Sequence, residues 1–386
     1  MKISIVTGFF LPVPPLRGGS TEKIWHRLSQ EFSAAGHDVT LISRRWPGLP
    51  GQATVDGVQH VRVRGADHSR RLFLNLWRDF WWGIRVAARL PTSDVVICNT
   101  VTLPVWLRKF KPAVGRIAVV LARMPKGHGY AYRNVDLLLS LSEEVTSRLL
   151  RENPRLAGRI VGFPYPIDWT LHAQASAKSQ PPAPITIGYV GRIHPEKGLP
   201  LLLAAASRLA DRTDLPAWRL ELVGPWTIPE GGGGEAYREN LLREFRGKLG
   251  ARLILSGPQF DPSALAQSYG KMDIFCYPSI AEGGETFGVA VAEAMAAGAV
   301  PVVSNLACFN ALVEHRNTGM VFDHRSPDAV ARLATALAEL LGDGVMRKKF
   351  AHAAQNHARQ FDFDASARSV LAALTRLVGS RAHAGG

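Results

Sequence analysis

Apolar positions along the chain fall into two alternating periods. Residues 2–7 (KISIVT) alternate and are β-branched, which predicts a strand. A loop with three prolines runs from Gly8 to Gly19, and Ser20 or Thr21 then caps a helix from about Glu22 to Ala35. Leu28 and Phe32 share one face of that helix, and Gly36 ends it. His37–Ser43 is a second strand, so the chain opens with a βαβ unit. Val58–Arg64, Asp94–Cys98, Ile117–Leu121 and Val135–Leu141 read as further strands, and Ser142 caps a helix that begins Glu143-Glu144. Residues 171–184 are rich in Ala, Ser, Gln and Pro and form a linker. Beyond it the layout restarts at Ile185: strand, Gly loop, helix Leu199–Ala210. Strands follow at 220–224, 252–257, 272–277 and 300–303, with a short one ending at Phe322. Helices over Pro327–Leu341 and Asp364–Gly379 complete the pattern, and the tail Ser380–Gly386 is expected to be disordered. Two doubly wound α/β domains, 1–170 and 183–360, with a last segment 361–386, are the predicted organisation.

One helical segment carries more than a single stripe. In Arg70–Leu90, Leu72, Leu76, Phe80, Ile84 and Ala87 or Ala88 recur at helical spacing. Trp77, Trp81 and Trp82 crowd beside them, and Arg71, Arg78, Arg85 and Arg89 are interleaved. Trp at an interface and Arg at headgroups suit an acidic bilayer. The need for a crossover between parallel strands favours a core-packed helix with snorkelling arginines.

Charge sharpens the first alternative. The net charge is +14, and residues 1–170 hold 24 basic and 12 acidic residues against 22 and 20 in the remainder. A basic first half beside a near-neutral second half implies an anionic partner: an acidic membrane surface, a lipid diphosphate or nucleic acid. Cys98, Cys276 and Cys308 stand singly, with neither metal spacing nor a disulfide framework, which suits a reducing, cytoplasmic location. The first residues read as a strand rather than a signal peptide, and no apolar run is long enough to span a bilayer. The expected location is therefore cytoplasmic, with peripheral attachment to the inner membrane face.

Candidate chemistry concentrates in residues 278–305, PSIAEGGETFGVAVAEAMAAGAVPVVSN. A strand end runs into a Gly-rich loop, then a helix of small residues from Val289, so a helix N-terminus faces exposed backbone N–H groups, as a phosphate requires. Glu285 and Glu293 flank this site; eight residues apart on a helix, they are expected to lie within roughly 80° of each other and about 12 Å apart along the axis. A second Gly loop, GRIHPEKGL, places Arg192 and Lys197 at another strand end. Arg123, Lys126 and His128 put positive charge at a strand end in the first half. Asp362-Phe363-Asp364 has the spacing of a metal motif, but it lies far from any strand end, where Asp364 serves as a helix cap.

The Glu-x7-Glu pattern, embedded in PS…E-x-FG…EAMA-x-G-x-PVV, resembles the donor site of the retaining glycosyltransferases of family four. The spacing selects Glu285 over Glu282, and Thr286 stands where the family usually has Gly. GRIHPEKGL resembles a second hallmark of the same family. The resemblance implies a GT-B fold: two Rossmann-like domains facing each other across a cleft, the last helix crossing back to the first. It implies that Arg192 and Lys197 hold the donor diphosphate, Glu293 the ribose and Glu285 the sugar hydroxyls. Gly284, Thr286, Phe287 and Gly288 would offer backbone N–H groups, with Gly18, Gly19, Gly191 and Gly224 in close backbone approach and the loop at Pro258 over the base. Arg192, Lys197 and Glu285 form the expected catalytic set; Arg123, Lys126 and His128 lie on the acceptor side. No metal and no cofactor are expected, and the leaving phosphate itself takes the acceptor proton. The implied reaction moves a sugar, from a UDP-sugar or alternatively GDP-mannose, to a hydroxyl of a lipid-linked or cell-surface glycan precursor. Alternatives are a small soluble acceptor, a non-hydrolysing nucleotide-sugar epimerase that needs no acceptor, and a nucleic-acid-binding protein with steep salt dependence.

Overall fold

The computed structural model describes residues 1–17, 19–69, 71–175 and 184–379. Two contact-defined units divide it, Met1–Pro166 with Phe363–Gly386, and Ile167–Asp362. The helix that ends the chain is therefore part of the first unit, as a GT-B fold requires.

In the first unit the strands are β1 (Lys2–Val6), β2 (Asp38–Arg44), β3 (Gln52–Val55), β4 (Val58–Val63), β5 (Val95–Cys98), β6 (Arg116–Leu121), β7 (Leu137–Ser140) and β8 (Ile160–Gly162). Among the described residues they form one sheet in the order β3-β4-β2-β1-β5-β6-β7-β8, parallel except for the β3–β4 hairpin. The central strands are buried along nearly their whole length because helices cover both faces. Those helices include α1 (Ser20–Ala34), α2 (Leu72–Arg89), α3 (Leu103–Phe110), α4 (His128–Ala131) and α5 (Glu143–Glu152). Strand order reverses between β2-β1 and β5-β6, the topological switch point of a doubly wound sheet.

The second unit opens with α6 (Trp169–Gln174) and continues β9 (Ile185–Val190), α7 (Leu199–Ala210), β10 (Trp218–Val223), α8 (Glu235–Leu249), β11 (Leu253–Ser256), α9 (Pro262–Gly270), β12 (Ile274–Tyr277), α10 (Val289–Ala296), β13 (Val300–Ser304), β14 (Met320–Phe322), α11 (Ala329–Gly342) and α12 (Gly344–Ala358). Its sheet runs β11-β10-β9-β12-β13-β14, all parallel, with the switch point between β9 and β12. The last helix, α13 (Phe363–Gly379), packs on α1.

Four sequence expectations change. Helix α12 is unforeseen: its buried face is only Phe350, Ala354 and Ala358, too sparse a stripe to announce a helix, and Asp343 caps it by accepting from the N–H groups of Val345 and Met346. Residues 171–174, read as linker, belong to α6 of the second unit, and residues 176–183 lie outside the described residues, as does the tail 380–386. Asp364 is not a cap: it sits in the first turn of α13 and pairs with Arg368, while Asp362 accepts from the Trp169 N–H at 3.0 Å. Finally, the apolar stripe of α2 faces outward. Leu72, Leu76, Phe80 and Ile84 are exposed, and the helix buries Asp79, Trp82, Gly83 and Val86 instead. Among the described residues no helix is long and apolar enough to cross a membrane.

Candidate functional site

The two Gly loops leave the carboxyl ends of β9 and β12, the strands on either side of the second unit's switch point, where ligands of open α/β sheets bind. The loops are bonded together. The Ile280 N–H donates to the Glu196 carbonyl at 2.9 Å, and the Ser279 hydroxyl oxygen lies 3.3 Å from the same carbonyl oxygen. Gly198 holds them close: at φ +66° it adopts a left-handed conformation, and a Cβ there would lie 2.0 Å from the Pro278 carbonyl oxygen. Gly191 and Gly224 sit beside this point, the N–H of Gly191 bonded to Val223 and that of Gly224 to Ser256.

Lys197 and Glu285 meet where the loops join. Their side chains are 8% and 10% exposed, and the Lys197 ammonium donates to Glu285 Oε1. The same oxygen accepts from the Tyr277 hydroxyl at 3.1 Å and the Ser279 hydroxyl at 3.2 Å. Lys197 Nζ also lies 5.4 Å from the Tyr277 ring centroid, in cation–π range. Burial, and then the Glu285 charge, hold the Tyr277 phenol well above its ordinary pKa, so it stays a donor. The Tyr277 and Ser279 hydroxyls thus help to satisfy one buried ion pair, the arrangement that makes such a pair tolerable in low dielectric.

Glu285 reaches this position from a turn, not from a helix. Helix α10 begins only at Val289, after Gly288. The expected helical offset between Glu285 and Glu293 therefore does not apply; only Glu293 is on the helix. It is buried, accepts from the Tyr269 hydroxyl at 3.1 Å, and lies 3.7 Å from His172 Nε2. His172, on α6, packs edge-on against Tyr269 with ring centroids 5.5 Å apart. His172 falls in the stretch read as linker, and its helical spacing from Trp169 was the one signal present.

Arg192 is half-exposed and pairs with Glu196, while a second guanidinium nitrogen donates to the Gly231 carbonyl at 2.8 Å. Gly231, the first of four consecutive glycines, thus supplies a carbonyl that orients Arg192. Glu282 is on the surface, bound to Arg325 and to His324 at 3.1 Å, so Glu285 rather than Glu282 is the glutamate in contact with Lys197.

Other predicted residues fall as follows. The Gly284 N–H turns into its own loop, donating to Ala281 at 3.0 Å, instead of facing outward. Phe287 is buried against Phe361, with centroids 5.3 Å apart, so its side chain is core. Thr286 and Gly288 lie in the loop between Glu285 and α10. Pro258 follows the edge strand β11, two strands from β9.

In the first unit Gly18 lies outside the described residues. The space over Gly19 is taken by its own helix: a Cβ would meet Glu22 Oε2 at 2.4 Å and Leu11 at 2.6 Å. Glu22 is a buried carboxyl that the sequence reading passed over, and burial pushes it up to about 7. Arg123 and Lys126 are exposed. His128 accepts from the Lys126 N–H at 2.9 Å through Nδ1, and burial holds its imidazole below the ordinary range. It closes the turn into α4, whose N–H groups at Gly127 and Gly129 are taken by Glu152.

Two doubly wound units, with the last helix returned to the first, define the GT-B fold of glycosyltransferases. The family of glycosyl transferases group 1 matches residues 173–357, so the second unit is a domain of that family, in keeping with the resemblance to family four. A phosphatidyl-myo-inositol mannosyltransferase of Mycobacterium tuberculosis is 31% identical over 199 residues, 51% of this chain and 48% of the relative. The chain thus spans about half the length of that relative. Among solved structures, sucrose-phosphate synthase from Thermosynechococcus elongatus superposes with a TM-score of 0.77 at 20% identity, covering 98% of this chain and 99% of that one. Anabaena HepE in complex with UDP does so with a TM-score of 0.68 at 18% identity, over 97% and 100%.

Proposed function

We propose that this protein is a retaining glycosyltransferase that moves a sugar from a nucleotide sugar to an acceptor hydroxyl. The observation that carries the reading is the buried Lys197–Glu285 contact at the switch point of a group 1 glycosyltransferase domain. An elongated anionic donor can re-partner each half of the pair. Its diphosphate takes the Lys197 ammonium, with Arg192 alongside, and its sugar hydroxyls donate to the Glu285 carboxylate that Tyr277 and Ser279 hold in place. Glu293, fixed by Tyr269, accepts from the ribose hydroxyls. As the bond from the anomeric carbon to the diphosphate breaks, charge grows on the leaving oxygen beside Lys197, where the ammonium stabilises it most. The acceptor oxygen bonds to that carbon on the same face and gives its proton to the departing phosphate, so neither a protein base nor a metal is required.

A UDP-sugar is the favoured donor and GDP-mannose the alternative. A polyprenyl-diphosphate or similar lipid-linked glycan at the inner membrane face is the favoured acceptor, because the basic excess lies in the first half of the chain. The relative that acts on a phosphatidyl-inositol is a reason to test mannosyl donors and lipid acceptors together. Thermal-shift screening against UDP- and GDP-sugars identifies the donor. Incubation of that donor with lipid extracts, followed by NMR of the product, reads the anomeric configuration. Retention supports the proposal; inversion, or a changed sugar nucleotide formed without any acceptor, refutes it.

A further inference from the structure

Helix α2 presents an apolar surface that the fold does not need. At about 100° per residue, Leu72, Leu76, Phe80, Phe73, Ile84, Trp77 and Trp81 sweep an arc of about 180°. These side chains are 36–81% exposed. The core-facing residues Trp82, Val86, Asp79 and Gly83 occupy an arc of roughly 100° that meets the apolar arc at Leu72. Between the two, on one flank only, stand Arg71, Arg78, Arg85 and Arg89, within about 40° of one another. Edge-to-face contacts continue the apolar surface onto α3: Trp77 to Trp81, Trp81 to Phe80, Phe80 to Trp106, and Trp106 to Phe110, which is 77% exposed.

A groove of about 490 Å³ opens beside the arginine flank, where β4 runs on into Arg64. Arg64, Arg78 and Arg85 line it together with Trp77 and Trp81. Arg78 donates to the Asp67 carbonyl, which fixes it at the rim. Among the described residues Arg64 and Arg85 pair with no carboxylate. Three guanidiniums around an indole-walled groove match a phosphate that carries an apolar body.

We propose that α2 docks on an anionic phospholipid bilayer, with the apolar arc at the acyl boundary and the groove holding one lipid phosphate. Charge decides between occupants. A second copy seated on the same face brings its own arginine flank against the first, whereas anionic headgroups neutralise that flank while the bilayer interior receives the Trp and Phe side chains. The proposal is carried by α2 alone and stands whether or not the second unit handles a nucleotide sugar.

Flotation of the full chain with vesicles tests it. Phosphatidylglycerol–phosphatidylcholine vesicles should carry the protein upward, and pure phosphatidylcholine should not. Arg64→Ser and Arg85→Ser should each weaken binding to anionic vesicles roughly fivefold. Trp77→Ser/Trp81→Ser should abolish binding and also the quenching of tryptophan fluorescence by brominated lipid. All four positions are at the surface, and an unchanged melting temperature confirms that each variant folds. Free glycerol phosphate should not compete with vesicles at equal phosphate concentration. Equal flotation with neutral and anionic vesicles overturns the proposal, as does effective competition by glycerol phosphate. A dimer in sedimentation that Trp77→Ser/Trp81→Ser dissolves overturns it in favour of a second copy.

Discussion

Replacing Lys197 by Met separates the structural from the functional weight of the ion pair. The Glu285 side chain is 10% exposed, so the lost ammonium leaves a buried carboxylate. Breaking such a pair costs about 3–5 kcal/mol. Two hydroxyls remain on the carboxylate, from Tyr277 at 3.1 Å and Ser279 at 3.2 Å, which sets the cost at the low end, about 3 kcal/mol. For a unit of this size that is a fall in melting temperature of about 6–12 °C. Lys197→Met/Glu285→Gln removes the orphaned charge, and Gln still accepts from both hydroxyls. The double variant should recover to within about 1 kcal/mol of the parent. Differential scanning calorimetry that resolves the second unit's transition, with and without a nucleotide sugar, measures both effects. The double variant should melt like the parent yet show no ligand-induced shift. A Lys197→Met protein that melts within a degree or two of the parent would refute the buried pair. A double variant that keeps the ligand shift would remove the pair from the binding site.

Three further outcomes follow from particular contacts. Gly198→Ala introduces a Cβ 2.0 Å from the Pro278 oxygen at φ +66°, so it should cost about 1–3 kcal/mol and lower nucleotide-sugar affinity together, read by the same calorimetry. Independent behaviour of stability and affinity in that variant would argue against loop-to-loop coupling. Glu22 has its folded pKa raised from 4.5 to about 7, so the folded state binds the proton more tightly than the unfolded chain. Stability from this group is complete below pH 4.5 and is lost as pH rises through about 7, by about 3 kcal/mol at most. Glu22→Gln should flatten that slope in urea unfolding followed across pH 4–8, and an unchanged slope would place the titration elsewhere. Tyr269→Phe deletes the hydroxyl that bonds Glu293 at 3.1 Å and should destabilise the second unit by about 1–3 kcal/mol, which urea unfolding checks. No loss there would mean that Glu293 is satisfied without it.

The second unit was the more legible in sequence because its chemistry is written in contiguous strings. GRIHPEKG and PSIAEGGETFG each follow a strand, and the parallel order brings those two strands side by side. The Lys197–Glu285 contact could be inferred, but its partners Tyr277 and Ser279 could not, since a Tyr at a strand end is equally a core residue until its hydroxyl is placed. Placing Glu285 on the helix failed because the backbone at Gly288 turns into the left-handed region one residue before α10. His172 and Glu22 carry no motif: one approaches Glu293 through a helix far away in sequence, and the other is sealed only once the Gly8–Gly19 loop folds back. Helix α2 was misassigned for a general reason. Helical periodicity reports that apolar residues share a face; it does not report which way the face points.

The central claim is that Glu285 and Lys197 serve two different parts of one nucleotide sugar. Isothermal titration of Glu285→Gln, compared with Glu282→Gln as a surface control, tests it with both the sugar nucleotide and the free nucleoside diphosphate. The account predicts that Glu285→Gln loses affinity mainly for the sugar-bearing ligand, while Glu282→Gln, whose carboxylate is held at the surface by Arg325, binds both like the parent. Equal losses for the two ligands in Glu285→Gln, or parental affinity for both, would contradict it.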